Sequence, residues 1–289
     1  MKNIIIHLRL PFSLFLMPVY WFALSQSESP QPNRALWIFA ILHLLIYPAS
    51  NAYNSYFDKD KGPIGGLAHP PAVSKGLYYT ALGIDFMAFL LSYFFINTFF
   101  AVAILIYGLI SKAYSHPMIR LKKYPFFSWL IVGIFQGAFV YLAIIQTLDN
   151  LSINQLLQTK YLLPATLASL NLLAFYPMTQ IYQHQEDASR GDLTLSRKLG
   201  INGTFIFTAI LFMLATFGYY FYFQDQTINQ TPTFFLYLIT TTPALLFFCV
   251  WFFITIKNQE KANFINTMIL NLLGSLCLNL FFVLIYFAK

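Results

Sequence analysis

Polar residues along this chain fall in short clusters, and between the clusters stand long runs that are almost wholly apolar. Nine runs are long enough to cross a bilayer, since a helix needs about 20 residues to span the hydrocarbon core. They cover residues 10–26, 35–55, 77–95, 97–113, 126–146, 161–183, 203–223, 233–256 and 265–287. Only a turn near Asn97 separates the third from the fourth. The runs lack the period-two alternation of a membrane barrel, so they predict helices. The expected fold class is all-α: one integral-membrane domain over residues 1–289 with nine transmembrane helices.

Composition narrows the classes further. The chain is 58% apolar and 9% charged, against about 25% charged residues in a soluble domain. It lacks the polar surface to cover itself in water, which excludes intrinsic disorder and an ordinary soluble enzyme. Cys249 and Cys277 both lie in apolar runs, so neither a disulfide framework nor a thiolate metal cluster is expected. The net charge of +7 does not point to nucleic acid, because the basic residues sit in short loops and there set orientation. With a cytoplasmic N-terminus, 14 of the 17 basic residues lie inside, and only Arg34, Lys160 and Lys289 lie outside. One missed helix would scramble that split, so it also supports the span count. The first run could be read as a secretory leader, but Pro11 and Pro18 interrupt it, and a retained first helix is expected.

Two span ends break the habit of keeping polar residues in loops, and they resemble each other. Residues 47–62 read YPASNAYNSYFDKDKG, and residues 176–191 read YPMTQIYQHQEDASRG. The offset is 129 at every position. It corresponds to four spans, which returns the chain to the same side in the same direction. The expected plan is two parallel four-helix repeats plus a ninth helix. On helices, positions i, i+3 and i+7 share a stripe. Asn51, Asn54 and Asp58 form one stripe, and Gln180, Gln183 and Asp187 the other. Amides in a membrane can serve only to glue helices together. Glue explains less well why each stripe ends in an aspartate followed by a basic residue and glycine.

Two carboxylates with amide carbonyls make an all-oxygen set for a hard cation. Mg²⁺ characteristically combines one or two carboxylates with substrate phosphate. Cations for a diphosphate stand nearby: Arg120, Lys122 and Lys123 in the loop YSHPMIRLKKYP (114–125), and Arg190 after Asp187. The loop GPIGGLAHPP (62–71) could bring backbone N–H groups to phosphate or simply turn the chain. It is no Walker A loop, and no serine elbow, zinc-binding HExxH or dinucleotide fingerprint is present.

These residues resemble the UbiA superfamily of intramembrane prenyltransferases. Asn54-Ser-Tyr-Phe-Asp58 fits the frame of that family's first aspartate motif. Gln183-His-Gln-Glu-Asp187, with Gly191-Asp-Leu-Thr-Leu195 and Gly200, fits the second, and Tyr114 to Lys122 is similar to a further family segment. Ser55, Gly62 and Gln183 stand where the family pattern has acids, which leaves the number of metal ions open. The resemblance implies a Mg²⁺-dependent transfer from a polyprenyl diphosphate to a small acceptor, often an aromatic quinone or pigment precursor. It implies metal ligation by Asp58 and Asp187, with Asn54, Asp60 and Asp192 as further donors and Glu186 as a possible substitute. Arg120 and Lys122 would act on the leaving diphosphate, with Gln183, Arg190, Lys123 and Tyr114 as binding groups. Tyr53, Tyr56 and Tyr182 would offer aromatic faces to an allylic cation. The implied place is a membrane, with the site facing the cytoplasm; in a bacterium that is the inner or plasma membrane. A terpene cyclase without acceptor, and a transporter or lipid-binding protein, are the competing readings. A transporter calls for acids near the bilayer midplane, whereas these acids lie at helix ends.

Overall fold

A computed structural model describes residues 2–228 and 230–289, and its architecture is almost entirely helical. Among the described residues, nine helices are long and apolar enough to span a membrane. They are α1 (Lys2–Gln26), α2 (Pro32–Asp58), α3 (Lys75–Phe95), α4 (Thr98–Ser115), α5 (Pro125–Asp149), α6 (Thr159–Met178), α7 (Leu195–Phe223), α8 (Thr233–Lys257) and α9 (Phe264–Phe287). A two-residue β-hairpin, Thr227–Ile228 with Thr231–Pro232, lies between α7 and α8. Burial sorts the helices: within the most apolar 18 residues of each, α2, α6 and α9 are 56% buried, whereas α3 and α8 are only 22% buried. The exposed side chains of α3 and α8 include Phe86, Phe94, Leu246 and Phe253, as a lipid-facing surface requires. α2, α6 and α9 form the interior instead, and they line the cavity described below.

Three departures from the expected spans have local causes. α1 begins at Lys2 and breaks at Arg9, whose φ of 48° lies in the left-handed region. Pro11 lacks an N–H and disfavours helix in the residue before it, so the chain restarts as a 3₁₀ turn over Leu10–Leu16. The left-handed backbone at Arg9 costs on the order of 1–2 kcal/mol. Arg9 Nη1 and Nη2 donate to the carbonyls of Gly65 and Asn51, each at 3.1 Å, which holds that conformation.

α6 stops at Met178 instead of running to 183. The Thr179 hydroxyl and N–H both donate to the Tyr176 carbonyl, at 2.7 and 3.0 Å. Such local bonding competes with the helical ladder, and tight turns carry the chain to Gln183. Gln180, Gln183 and Asp187 therefore do not share one continuous helical stripe, whereas Asn51, Asn54 and Asp58 do. Pro177 also deprives the Leu173 carbonyl of its i+4 donor. The Trp129 indole N–H fills that vacancy from α5 at 2.8 Å.

α7 starts at Leu195, ahead of the expected 203, because a short turn precedes a break at Gly200 (φ 70°, ψ 174°). Two π-helical segments, Ala40–Ile46 in α2 and Ile134–Phe139 in α5, adjoin or carry the cavity residues Tyr47, Phe135 and Gln136. Such π-turns recur at functional sites.

Candidate functional site

One cavity of about 290 Å³ opens among α1, α2, α4, α5, α6, α7 and α9. Its mouth holds the ends of both repeated motifs. α2 brings Asn54 and Asp58, and the loop beyond it adds Asp60. The turns after α6 and the short helix His184–Ser189 bring Tyr182, Gln183 and Asp187, followed by Arg190. Lys122 comes from the loop between α4 and α5, and Tyr114 from the end of α4.

The charged groups form one network. Lys122 Nζ pairs with Asp58 and stands 3.6 Å from Asp192 Oδ2. Arg190 Nη2 donates to Asp187 Oδ1 at 2.8 Å, while its Nη1 pairs with Asp60 and lies 3.8 Å from Glu186. Arg120 grips Asp192 with two parallel bonds, Nε to Oδ1 at 2.7 Å and Nη2 to Oδ2 at 2.8 Å. The network thus joins five carboxylates to three cations, an excess of negative charge beside an apolar chamber. Most of it is withdrawn from solvent: Lys122, Asp187 and Asp192 are 5%, 5% and 1% exposed.

The two buried acids outside the spans respond differently. Burial pushes the Asp187 carboxyl above the ordinary carboxylate range, although Arg190 and Lys122 pull the other way. Burial would raise Asp192 too, but the hydrogen bonds from Arg120 and the charges of Lys122, Arg120 and Arg190 outweigh it, and its carboxyl lies below the ordinary range. The bond to Asp192 likewise raises the Arg120 guanidinium. Asp192 is thus a fixed anion that anchors Arg120, whereas Asp187 holds its charge against its surroundings.

Not every expected site residue reaches the cavity. Asp192 and Arg120 stand behind the lining. Glu186 turns to the loop after α2, accepting from the Lys61 N–H at 2.8 Å. Lys123 is exposed, its ammonium 5.0 Å from the Tyr124 ring. Tyr53 and Tyr56 pack with Tyr78 of α3 at 5.8 and 5.3 Å, on another face of α2 from the stripe carrying Asn54 and Asp58. The 100° step between helical neighbours turns Tyr53 away. Among the described residues, no group of three or more His, Cys, Asp or Glu side chains is arranged to hold an ion by itself.

The cavity also holds residues outside the two polar stripes, among them Tyr176 at the head of the second motif. Tyr176, whose hydroxyl is hydrogen-bonded to that of Tyr114, lines the same cavity. Arg9 reaches the wall from α1. The amides Gln136, Asn171 and Asn271 line the chamber from α5, α6 and α9. Their signal was in the sequence: polar side chains inside apolar spans are costly unless they face a partner or a cavity.

The fold and this mouth define a polytopic membrane protein with an ion-paired rim above an apolar chamber. Residues 15–283 match the UbiA prenyltransferase family, and the chain belongs to that family. The fold is similar to that of a UbiA homolog from Archaeoglobus fulgidus bound to DMAPP and Mg²⁺, with a TM-score of 0.71 and 16% identity over 99% of this chain and 98% of that one. The same homolog bound to GPP and Mg²⁺ gives 0.69 and 15% over 98% and 99%. The apo structure of a UbiA homolog from Aeropyrum pernix K1 gives 0.69 and 17% over 94% and 96%. No curated protein sequence matches the chain.

Proposed function

We propose that this chain transfers a prenyl group from a prenyl diphosphate to a small electron-rich acceptor at the cavity mouth, with Mg²⁺. The observation that carries this reading is the convergence of Asp58 and Asp187 with Lys122 and Arg190 at the entrance of a single apolar chamber. The UbiA homolog from Archaeoglobus fulgidus binds DMAPP or GPP together with Mg²⁺, which supports it.

The donors fit a hard cation. Asp58 and Asp187 offer carboxylate oxygens and Gln183 an amide oxygen on the rim, while Asn54 Oδ1 accepts from the Ser115 hydroxyl at 2.9 Å and has one lone pair left. Gln183 uses its Nε2 on the Pro63 carbonyl at 3.2 Å, which leaves Oε1 free. Asp58 and Asp187 would hold the ion from the rim, and diphosphate oxygens and water would supply its remaining ligands. Asp60, held by Arg190, is the nearest further donor. Bound Mg²⁺ supplies positive charge against the oxygens of the departing diphosphate.

The residues of the chain do the rest. Lys122 and Arg190 exchange their carboxylate partners for phosphate oxygens, and Arg120, fixed by Asp192, adds positive charge from behind the lining. The bond between C1 of the prenyl group and the diphosphate oxygen breaks, and its electron pair leaves with the diphosphate. The rings of Tyr114, Tyr176 and Tyr182 flank the allylic cation. A ring carbon of the acceptor attacks C1, and the proton it loses passes to the diphosphate. Aromatic acids of the quinone- or pigment-precursor kind are the acceptors of this reading, and the positive charge of Arg9 at the cavity wall favours their carboxylate. The basic loops support placing the mouth on the cytoplasmic side.

Incubating membranes that contain the protein with labelled DMAPP, GPP and longer diphosphates, Mg²⁺ and a panel of aromatic acids tests the reading. Mg²⁺-dependent release of diphosphate with a prenylated aromatic product is expected. Consumption of no diphosphate of any length overturns it.

A further inference from the structure

α9 brings a buried amide without a partner to the cavity wall. Asn271 lines the cavity and is 6% exposed, and its Nδ2 has no hydrogen-bond partner among the described residues. A polar group in an apolar span is costly unless it meets a partner or a cavity. A buried amide left unbonded also forfeits the hydrogen bonds it made in water. Asparagine in a membrane can serve to hold helices together. Asn171 of α6 does so, because its Nδ2 donates to the Tyr219 hydroxyl of α7 at 2.7 Å. The Asn271 Nδ2 makes no such bond, so helix packing does not account for it.

The packing of α9 against α6 sets where this amide stands. A Cβ built at Gly274 would lie 2.3 Å from the Phe175 ring, so the two helices touch there. α6 runs toward the rim and α9 away from it, since Phe264 at the start of α9 packs on Tyr182 of the rim at 5.4 Å. Asn271, three residues before Gly274, therefore stands about 4.5 Å nearer the rim than that contact. Thr179, four residues beyond Phe175, lines the cavity at a similar level. One turn above Asn271, Met268 Sδ accepts from the Gly66 N–H at 3.3 Å, and the neighbouring Gly65 carbonyl accepts from Arg9. One turn below, Ser275 lines the same face, its hydroxyl donating to the Leu272 carbonyl at 3.0 Å. The order down this wall is thus a cation beside the loop, an unbonded amide, and a hydroxyl.

A prenyl chain has no polar atom to offer Asn271, and the diphosphate is drawn to Lys122 and Arg190. The ligand that remains is the acceptor. The cations of the rim are taken up by the acids there, and a carboxylate at Asn271 would be buried without one. A neutral hydroxyl fits instead. Rotation about χ2 presents either end of the amide, and a hydroxyl both donates and accepts. We propose that Asn271 is a specificity-determining residue for the acceptor, and that it binds a neutral hydroxyl on the acceptor ring while the acidic group of that ring is kept toward Arg9. The proposal rests on the prenyl-transfer reading above and deepens its acceptor side. A ring hydroxyl also feeds electron density into the ring, which the attack on C1 requires.

The test is competitive binding of benzoic and naphthoic acids to the detergent-solubilised full-length protein, with Mg²⁺ and a non-hydrolysable geranyl thiolodiphosphate bound. Each acid is used with a ring hydroxyl and with a methyl group in its place. The wild type should bind the preferred hydroxy acid at least about tenfold tighter than its methyl counterpart. Asn271→Leu keeps the number and branching of side-chain atoms, and it should bring that ratio to within about twofold. Asn271→Ala carries the same expectation where the leucine variant does not fold. The two acids compete in one sample, so the ratio does not depend on how much of a variant is folded. A wild type that binds both acids equally overturns the proposal, since the amide then faces only water. A preference kept in the variants overturns it too, because the hydroxyl is then read elsewhere. Binding of the geranyl analogue without any of the acids overturns the acceptor site and leaves the prenyl diphosphate site standing. Failure of the geranyl analogue to bind overturns both.

Discussion

Arg190 Nη2 donates to Asp187 Oδ1 at 2.8 Å, three residues along the chain from it, while the other arm of the same guanidinium reaches Asp60 beyond α2. One cation thus ties the two repeated motifs together across 130 residues. In the proposed reaction it releases a carboxylate as the diphosphate arrives. Arg190→Ala should then weaken diphosphate binding and slow turnover by about a hundredfold or more. Arg190→Lys should recover little, because an ammonium cannot serve both arms. Steady-state kinetics of diphosphate release measures both variants, and a near-wild-type lysine variant would contradict the role.

Gln183 stands where the family pattern has an acid. Gln183→Asp adds a carboxylate at the rim, so half-saturation should need several-fold less Mg²⁺. A titration of turnover against Mg²⁺ reads this directly. An unchanged midpoint would place residue 183 away from the ion.

The two buried acids predict an ordered response to acid. The Asp187 carboxyl, raised by burial, takes a proton at a pH above the ordinary carboxylate range, and the protonated form no longer holds a cation. The Asp192 carboxyl is lowered, so the stability it contributes through Arg120 is complete above the unfolded carboxyl's range and is lost only as pH falls through its depressed value. Turnover should therefore decline before thermal stability does. A pH–rate profile and unfolding midpoints in detergent, taken over the same range, would refute this if both fell together.

α5 and α6 approach closely at Gly137. A Cβ built there meets the Ser169 Cα at 2.5 Å and its backbone N at 2.6 Å. The Ser169 hydroxyl also accepts from the Ala138 N–H at 2.8 Å. Gly137→Ala should separate the helices and destabilise the protein by about 1–3 kcal/mol. Thermal unfolding measures it, and an unshifted midpoint would mean the contact yields cheaply.

Much of this was legible in the sequence because a bilayer imposes a simple code. The hydrocarbon thickness fixes helix length, and the nine apolar runs correspond to nine helices among the described residues, with ends mostly within a few residues. The exceptions were set by contacts the hydropathy pattern does not encode. Thr179 turns its hydroxyl onto Tyr176 and ends α6 early, and Gly200 breaks the start of α7. At the rim, the repeat singled out Asp58, Asp187 and their amides, and the structure puts them around one cavity. Which face Tyr53 would take was not readable, because it depends on where α3 packs. Asp192 was expected among the ion's donors, and only the fold reveals that it is spent on Arg120. Arg9 reads in the sequence as a topology marker, and in the fold the carbonyls of Gly65 and Asn51 hold it at the cavity wall.

The central claim is that Asp58 and Asp187 act together on one prenyl diphosphate. The most direct measurement is Mg²⁺-dependent diphosphate release from labelled GPP by membranes containing wild type, Asp58→Ala, Asp187→Ala and the double variant. Each single variant should lose at least about a hundredfold in rate. The double variant should lose little more than either alone, since the two acids serve one step. Turnover by the double variant at the wild-type rate would contradict the account.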